Sequence, residues 1–358
     1  MGFGALKAIG SYRKASVTAR LAFGGGALAV LGLSAGIASL ALGPLGIPVG
    51  HVAAIVLDRV GIDVADFTIT EKLVVEQLRA PRILVGGLVG MALGVSGAAL
   101  QGLFRNPMAD PGIIGVSAGG ATGAVLSIAL GLNMLFFLAL PLFSFAGAMG
   151  AAFLVYGIAA FGGRVSMPTL LLAGVAVSSF LGAVVSAVIV MVPADAALRE
   201  ILFWLAGGLD GRTWEHVRIA AGPIIFGVAV ITLLSRDLNL LMLGDEEARS
   251  LGVRVRLVRP LILATAALVT GTAVAFSGTI TFVGLVVPHM LRLLFGPDHR
   301  VLIPLSAAGG ALFVVVADTI ARTALQPTEL RVGIITALVG APFFLFLLIR
   351  NKRQAEAF

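Results

Sequence analysis

The sequence predicts an all-α membrane protein of about ten transmembrane helices, and three observations carry that prediction. Apolar residues make up 59% of the 358 and charged residues 12%, against roughly 45–50% and 25% in soluble globular chains. The apolar residues fall in runs of about 20, the length a helix needs to cross a hydrocarbon core about 30 Å thick. The Lys and Arg residues behind the formal charge of +7 sit in the gaps between those runs. A nucleic-acid-binding domain would instead gather them on one soluble face. One membrane domain, 1–358, accounts for the whole chain.

The first run, 21–42, follows Lys7, Arg13, Lys14 and Arg20. A secretory signal has a similar basic start but an apolar region of only about 7–15 residues. The longer run here predicts an uncleaved first helix behind a cytoplasmic segment, 1–20. An external connection, 43–81, mixes Pro44 and Pro48 with Asp58, Asp63, Asp66, Glu71, Lys72 and Glu76, and predicts a short amphipathic piece on the outer surface.

The second and third spans, 82–104 and 112–131, place Gly86, Gly90 and Gly94 on one helix face and Gly119 and Gly123 on another. Small residues let helix backbones approach within lipid, so these positions read as helix–helix contacts. Between the spans runs Gln101-Gly-Leu-Phe-Arg-Asn-Pro-Met-Ala-Asp-Pro-Gly112. Its Asn-Pro and Asp-Pro pairs break helices. Non-helical backbone at membrane depth must line water or be covered by protein, which suits a gate at the cytoplasmic mouth.

Spans 135–160 and 168–192 lead to a second external connection, 193–214, with Asp195, Arg199, Glu200 and Trp204. It predicts a short helix lying at the membrane interface, where an indole prefers to sit. Span 215–235 precedes a cytoplasmic loop, 236–257. The central piece, Leu243–Val253, has acids early and Arg249 late, complementing a helix dipole. A polar helix on that surface invites a protein partner, while a solvated loop is the plainer reading. Spans 258–276, 279–295, 301–321 and 333–350 complete the chain. With the N-terminus inside, 16 of the 25 basic residues fall on the cytoplasmic side, so the positive-inside rule places both termini in the cytoplasm.

Enzyme chemistry finds little support. The chain has no Gly-Lys pair, hence no GxxxxGK[ST] phosphate loop. Cysteine is absent, and His51, His216, His289 and His299 show no metal-ligand spacing. We assign no catalytic residue, no metal and no cofactor to this chain, and read His289 as a hydrogen-bonded packing residue. Carriers coupled to protons or sodium bury acids at mid-membrane. Asp318 is the one acid well inside a run, and Arg322, one helical turn on, is placed to satisfy it. That argues for energy supplied from outside the membrane domain, and against a secondary carrier or a membrane-embedded lipid enzyme.

Six segments, in order, carry a resemblance: LRAPR (Leu78–Arg82), QGLFRNPMADPGIIGVSAGG (Gln101–Gly120), LLLAGVA (Leu170–Ala176), GDEEARSLGV (Gly244–Val253), FVGLVVPHMLRLLFGPDHR (Phe282–Arg300) and GAPFFLFLL (Gly340–Leu348). They resemble the FecCD family, the iron-siderophore, haem and vitamin B12 permeases of bacterial ABC importers. The resemblance implies a type II ABC importer fold in the inner membrane. It further implies a homodimer with the path along its interface, two cytoplasmic ATPase subunits that hold ATP and magnesium, and a periplasmic binding protein. ATPase coupling would fall to Gly244, Asp245, Glu246, Glu247, Ala248, Arg249, Leu251 and Gly252. Binding-protein docking would fall to Arg79, Arg82 and Arg322, and the cytoplasmic gate to Asn106, Pro107 and Met108. The gate reads Asn-Pro-Met where Asn-Pro-Leu is commoner in the family, a volume-conserving change. The wording Leu-Phe-Arg-Asn-Pro is most similar to the haem permeases, with a ferric siderophore next and cobalamin third. The binding protein would set most of the specificity.

Overall fold

The structure is a computed structural model that describes residues 16–62, 66–161, 167–192 and 195–355. Most of the predicted cytoplasmic segment 1–20, including Lys7, Arg13 and Lys14, lies outside the described residues, as do Asp63 and Arg164. In chain order the α-helices are α1 (Val17–Ala41), α2 (Val49–Asp58), α3 (Ile69–Leu73), α4 (Ala80–Leu103), α5 (Val116–Ala129), α6 (Ala139–Ala160), α7 (Met167–Met191), α8 (Asp195–Leu205), α9 (Trp214–Leu233), α10 (Ser235–Leu241), α11 (Asp245–Ser250), α12 (Val255–Ser277), α13 (Val283–Phe295), α14 (His299–Thr323) and α15 (Val332–Ala355). No strand occurs among the described residues.

Seven helical stretches are long and apolar enough to cross a membrane. The predicted third, eighth and tenth spans correspond to shorter apolar helices, Val116–Ala129, Val283–Phe295 and Val332–Phe346. Together these make the ten. The shortfalls have local causes. Pro111 opens a 3₁₀ turn, Pro111–Ile114, and Gly115 at φ 81° separates it from α5. Phe282 at φ 68° separates the turn after α12 from α13.

The second span starts earlier than expected. Thr68 and Glu71 form a reciprocal capping box that launches α3, and a π-helical turn, Val74–Arg79, carries the helix into α4. Pro81 follows directly; its missing N–H and its ring would break a regular helix, and a wide turn relieves that conflict. The last third of the expected outer connection, 69–81, is therefore helix continuous with this span.

Burial sorts the helices into a centre and a periphery. The central windows of the α3–α4 stretch, α12 and α14 are 72%, 78% and 67% buried, whereas that of α1 is 6% buried. The centre is packed backbone to backbone. A Cβ added at Gly90 would overlap the carbonyl of Gly310, one at Gly94 that of Ser306, and one at Gly97 that of Gly284. Gly119 and Gly123 meet Gly147 and Phe143 of α6 in the same way. The glycine faces read from spacing are thus helix contacts, although Gly86 meets the side chain of Leu209 rather than backbone.

The short helix expected after the fifth span is present as α8, and its Trp204 is turned inward. It is buried with Ile201 against Ala121, Ala124, Val125 and Val274. The helix is amphipathic, and its apolar face finds protein before it finds lipid. His289 packs edge-on against Phe343, with ring centroids 6.4 Å apart.

Candidate functional site

Two clusters of polar side chains occupy opposite ends of the bundle. At the first end, Gly244 at φ 141° turns the chain out of α10 and into α11. Ala248 is fully buried beneath α11, while Glu246, Glu247 and Arg249 face outward beside exposed Leu243 and Leu251. The result is a short knob with a mixed acidic and apolar crest. Its root is tied down through Asp245, which accepts from Arg259 Nη2 at 2.6 Å and from Arg105 Nη2 at 3.3 Å. Arg105 also donates from Nε to the Leu241 carbonyl, 3.1 Å away.

Arg105 belongs to the Pro-broken loop after α4, so that loop and α11 share a carboxylate. The loop is folded by its own polar groups. Arg105 adopts φ 51°, a conformation uncommon outside glycine. The Asn106 N–H donates to Gln101 O at 3.1 Å, and Asn106 Oδ1 accepts from Met108 N at 2.9 Å. Asn106 and Pro107 are exposed and Met108 is half-buried. Gln101 donates to the carbonyls of Gly284 and Leu285, at 3.1 and 3.3 Å, binding α4 to the start of α13. Asp110 Oδ1 caps the 3₁₀ turn by accepting from Gly112 N at 2.8 Å. Burial pushes the Asp110 carboxyl up, with the Gly112 N–H opposing.

Beside this loop, Asp298 caps α14 and gathers Arg300, Asn239 and Arg20. Arg300 Nη2 and Asn239 Nδ2 donate to it at 2.8 and 2.7 Å, and Arg20 Nη2 lies 3.6 Å away. Burial would raise its pKa, but the Arg300 and Asn239 hydrogen bonds overcome this and hold it at about 2. Asn239 Oδ1 also accepts from His299 N at 2.9 Å.

At the opposite end, Arg79, Arg82 and Arg322 converge with Asp318. Arg82 forms a fork on Asp318, with Nη2 at 2.8 Å and Nε at 3.0 Å, and reaches Glu329 with Nη1 at 2.9 Å. Arg322 Nε lies 3.2 Å from Asp318, as its one-turn spacing foretold. Arg79 and Arg322 are both buried. Arg79 donates to the carbonyls of Leu40, Ala41 and Leu45; Arg322 donates to Ser39 O at 3.0 Å and Ser39 Oγ at 2.6 Å. The last carbonyls of a helix have no intrahelical partner, and here two guanidinium groups supply one for α1.

The structure therefore brings the coupling and gate residues to one end and the three arginines to the other. Spacing alone could not reveal Asn239 and Asp298 at the first end, nor that Asp245, expected there for coupling, binds Arg105 and Arg259. Nor could it reveal Asp210, Arg212 and Arg331 at the second. The segment Gly207-Gly-Leu-Asp-Gly-Arg212, rich in turn-forming residues, was the available signal for the latter group.

The proteins that this chain is similar to include permeases of import systems. The chain is 49% identical over 288 residues to the cobalamin import system permease of Halobacterium salinarum, covering 80% of this chain and 76% of that protein. It is 41% identical over 280 residues to the hemin transport system permease of Yersinia pestis, covering 77% and 83%. It is 41% identical over 280 residues to the Fe(3+) dicitrate permease of Escherichia coli, covering 78% and 86%. A solved structure described as an inward-facing metal-chelate type ABC transporter superposes with a TM-score of 0.78 at 33% identity, over 90% of this chain and 98% of that one. The model of the FecCD transport family matches residues 28–350. This multi-pass membrane chain belongs to the FecCD transport family.

Proposed function

We propose that the chain is the permease subunit of a binding-protein-dependent ABC importer that moves a metal chelate, haem foremost, across the bacterial inner membrane. It would work as a homodimer with two separate ATP-binding subunits and a periplasmic binding protein. Both termini would lie in the cytoplasm, on the side of α11. The observation that carries this reading is the Arg105–Asp245–Arg259 link. A docking knob and a Pro-broken gate loop held by one carboxylate suit a machine driven by a partner's motion.

In that reading Gly244–Gly252 seats in a groove of the ATPase, and Asn106, Pro107 and Met108 constrict the path. Arg79, Arg82 and Arg322 mark the end that receives the binding protein. Of the three, Arg82 stands nearest the surface, through its exposed bond to Glu329. Charge complementarity between such partners governs orientation and association rate.

Haem is favoured by the Leu-Phe-Arg-Asn-Pro wording of the gate loop. A specific observation supports cobalamin as the second reading, namely the 49% identity to the archaeal cobalamin permease. Identity to the vitamin B12 permease of Salmonella typhi is only 39%, below the 41% of the hemin permease, so haem is kept first. The test is uptake into proteoliposomes that hold the permease and its ATPase, offered haem, a ferric siderophore and cobalamin with their binding proteins. ATP-dependent uptake of haem alone is the expected result. Uptake without ATP, abolished by ionophores, would instead establish a secondary carrier.

A further inference from the structure

A cavity of about 400 Å³ opens at the end opposite α11, between α8 and the turn after α12. Its charged lining is Arg199, Glu200, Asp210, Arg212 and Arg331, with Trp204 beside them. The negative members are already committed: Glu200 accepts from Asn133 at 2.9 Å, and Asp210 pairs with Arg331. Arg331 also lies over the Phe203 ring, 4.3 Å from its centroid. Gly208 leaves the room that pair needs, since an added Cβ would sit 2.7 Å from Asp210 Oδ1 and 2.9 Å from Arg331 Nη1.

Arg212 has no such partner. Among the described residues no carboxylate lies within ion-pair distance of it; its one polar contact within hydrogen-bond distance is His216 Nε2, 3.5 Å from Nη1. Thr213 N donates to His216 Nδ1 at 3.1 Å, so in the neutral ring the proton sits on Nε2. That nitrogen offers Arg212 an N–H, not a lone pair. Arg212 Nε and Trp204 Nε1 are both buried without an acceptor. Burial pulls the Arg212 pKa down; Asp210 opposes this, and the charges of Arg331 and Arg82 add to it. A buried guanidinium with orphaned donors is costly until an anion meets it.

We propose that this cavity receives a carboxylate arm of the transported chelate, with Arg212 as its counter-ion and the Trp204 indole N–H and Arg331 beside it. The inference rests on the permease reading and deepens it. The site would favour chelates that carry carboxylates, such as haem with its two propionates, over amide-decorated corrinoids. Its aromatic wall, Phe203 and Trp204, suits a flat ligand body.

Both tryptophans of the chain, Trp204 and Trp214, stand at this end, so binding can be read by quenching of their fluorescence in the full-length permease in nanodiscs. The probes are haem, its dimethyl ester and cobalamin, offered to wild type, Arg212→Gln and Arg212→Lys. Loss of one charge-assisted contact should weaken haem binding about tenfold or more in Arg212→Gln. Arg212→Lys should recover most of that loss, and the ester should bind all three proteins alike. Unchanged haem affinity in Arg212→Gln, or an equal loss for the ester, overturns the site. Weakened docking of ligand-free binding protein in Arg212→Gln would also overturn it, by giving the anion to that partner. Parallel ATP-driven uptake separates the two readings. Arg212-dependent binding without haem uptake sinks the haem importer and keeps the site, whereas haem uptake indifferent to Arg212 does the reverse.

Discussion

Arg105 and Asp245, 140 residues apart in the chain, meet at 3.3 Å and join the broken loop after α4 to the first residue of α11. Arg259 meets the same carboxylate oxygen, Oδ1, at 2.6 Å. In the proposed reading, a push on α11 would reach the loop without crossing the apolar core.

Asp245→Asn keeps the shape and removes the charge that holds both arginines. Uptake per ATP hydrolysed should fall about fivefold or more, the low end of measured coupling between sites, while the melting temperature of the permease stays close to wild type. Proteoliposome uptake beside phosphate release checks it; unchanged stoichiometry would remove Asp245 from the transmission path.

Leu251 and Glu246 are exposed on the crest of α11, so Leu251→Asp and Glu246→Lys should spare the fold. Each should reduce co-purification of the ATPase and lower uptake. Surface substitutions of this kind shift stability by only about 0.5 kcal/mol, which thermal unfolding in detergent can verify. A variant with full uptake would count against the docking assignment.

Arg79 and Arg322 cap the end of α1, so replacing both with Ala should leave the carbonyls of Ser39 and Leu40 without donors, while Ala41 keeps only the Ile47 N–H. Each orphaned buried group costs about 1–3 kcal/mol, and the double variant should melt at lower temperature with exchange enhanced in residues 36–45. Charge reversal at Arg79 with Arg322 is also expected to weaken docking of the binding protein. Affinity unchanged at low salt would reserve both arginines for the cap.

Asp298 is held at about 2, below the 3.8 of a free carboxyl. A depressed folded-state pKa contributes stability that is complete above the unfolded value and fades as pH falls towards the folded one. Between about pH 4 and 2 the junction of α1, α10 and α14 should loosen. Asp298→Asn, which keeps an acceptor for the α14 cap, should flatten that dependence, as hydrogen exchange near Asn239 and Arg20 would report.

Much of this was readable from the chain. Run length and the glycine spacing located the spans and the faces of α4 and α5, because both signals are local and periodic. The Asp318–Arg322 pair is likewise a one-turn relation. The start of the second span was misplaced because a π-helical turn has no compositional marker, and charges at Glu71, Lys72 and Glu76 look like loop. The burial of Trp204 was not readable, since residue preference cannot tell an indole packed against protein from one turned outward. Bonds such as Arg322 to Ser39, 283 positions apart, exist only once the helices have packed.

Helix α13 has 13 residues, about 20 Å at 1.5 Å per residue, and α5 with 14 is little longer. Neither reaches across a hydrocarbon core of about 30 Å. The remainder of their crossings is irregular backbone that must be met by water or by protein. Where water enters, the voltage drop would concentrate over whatever length of the crossing stays dry. An anionic cargo would then feel most of the membrane potential over less than the full bilayer thickness, and its passage should respond to voltage as well as to ATP.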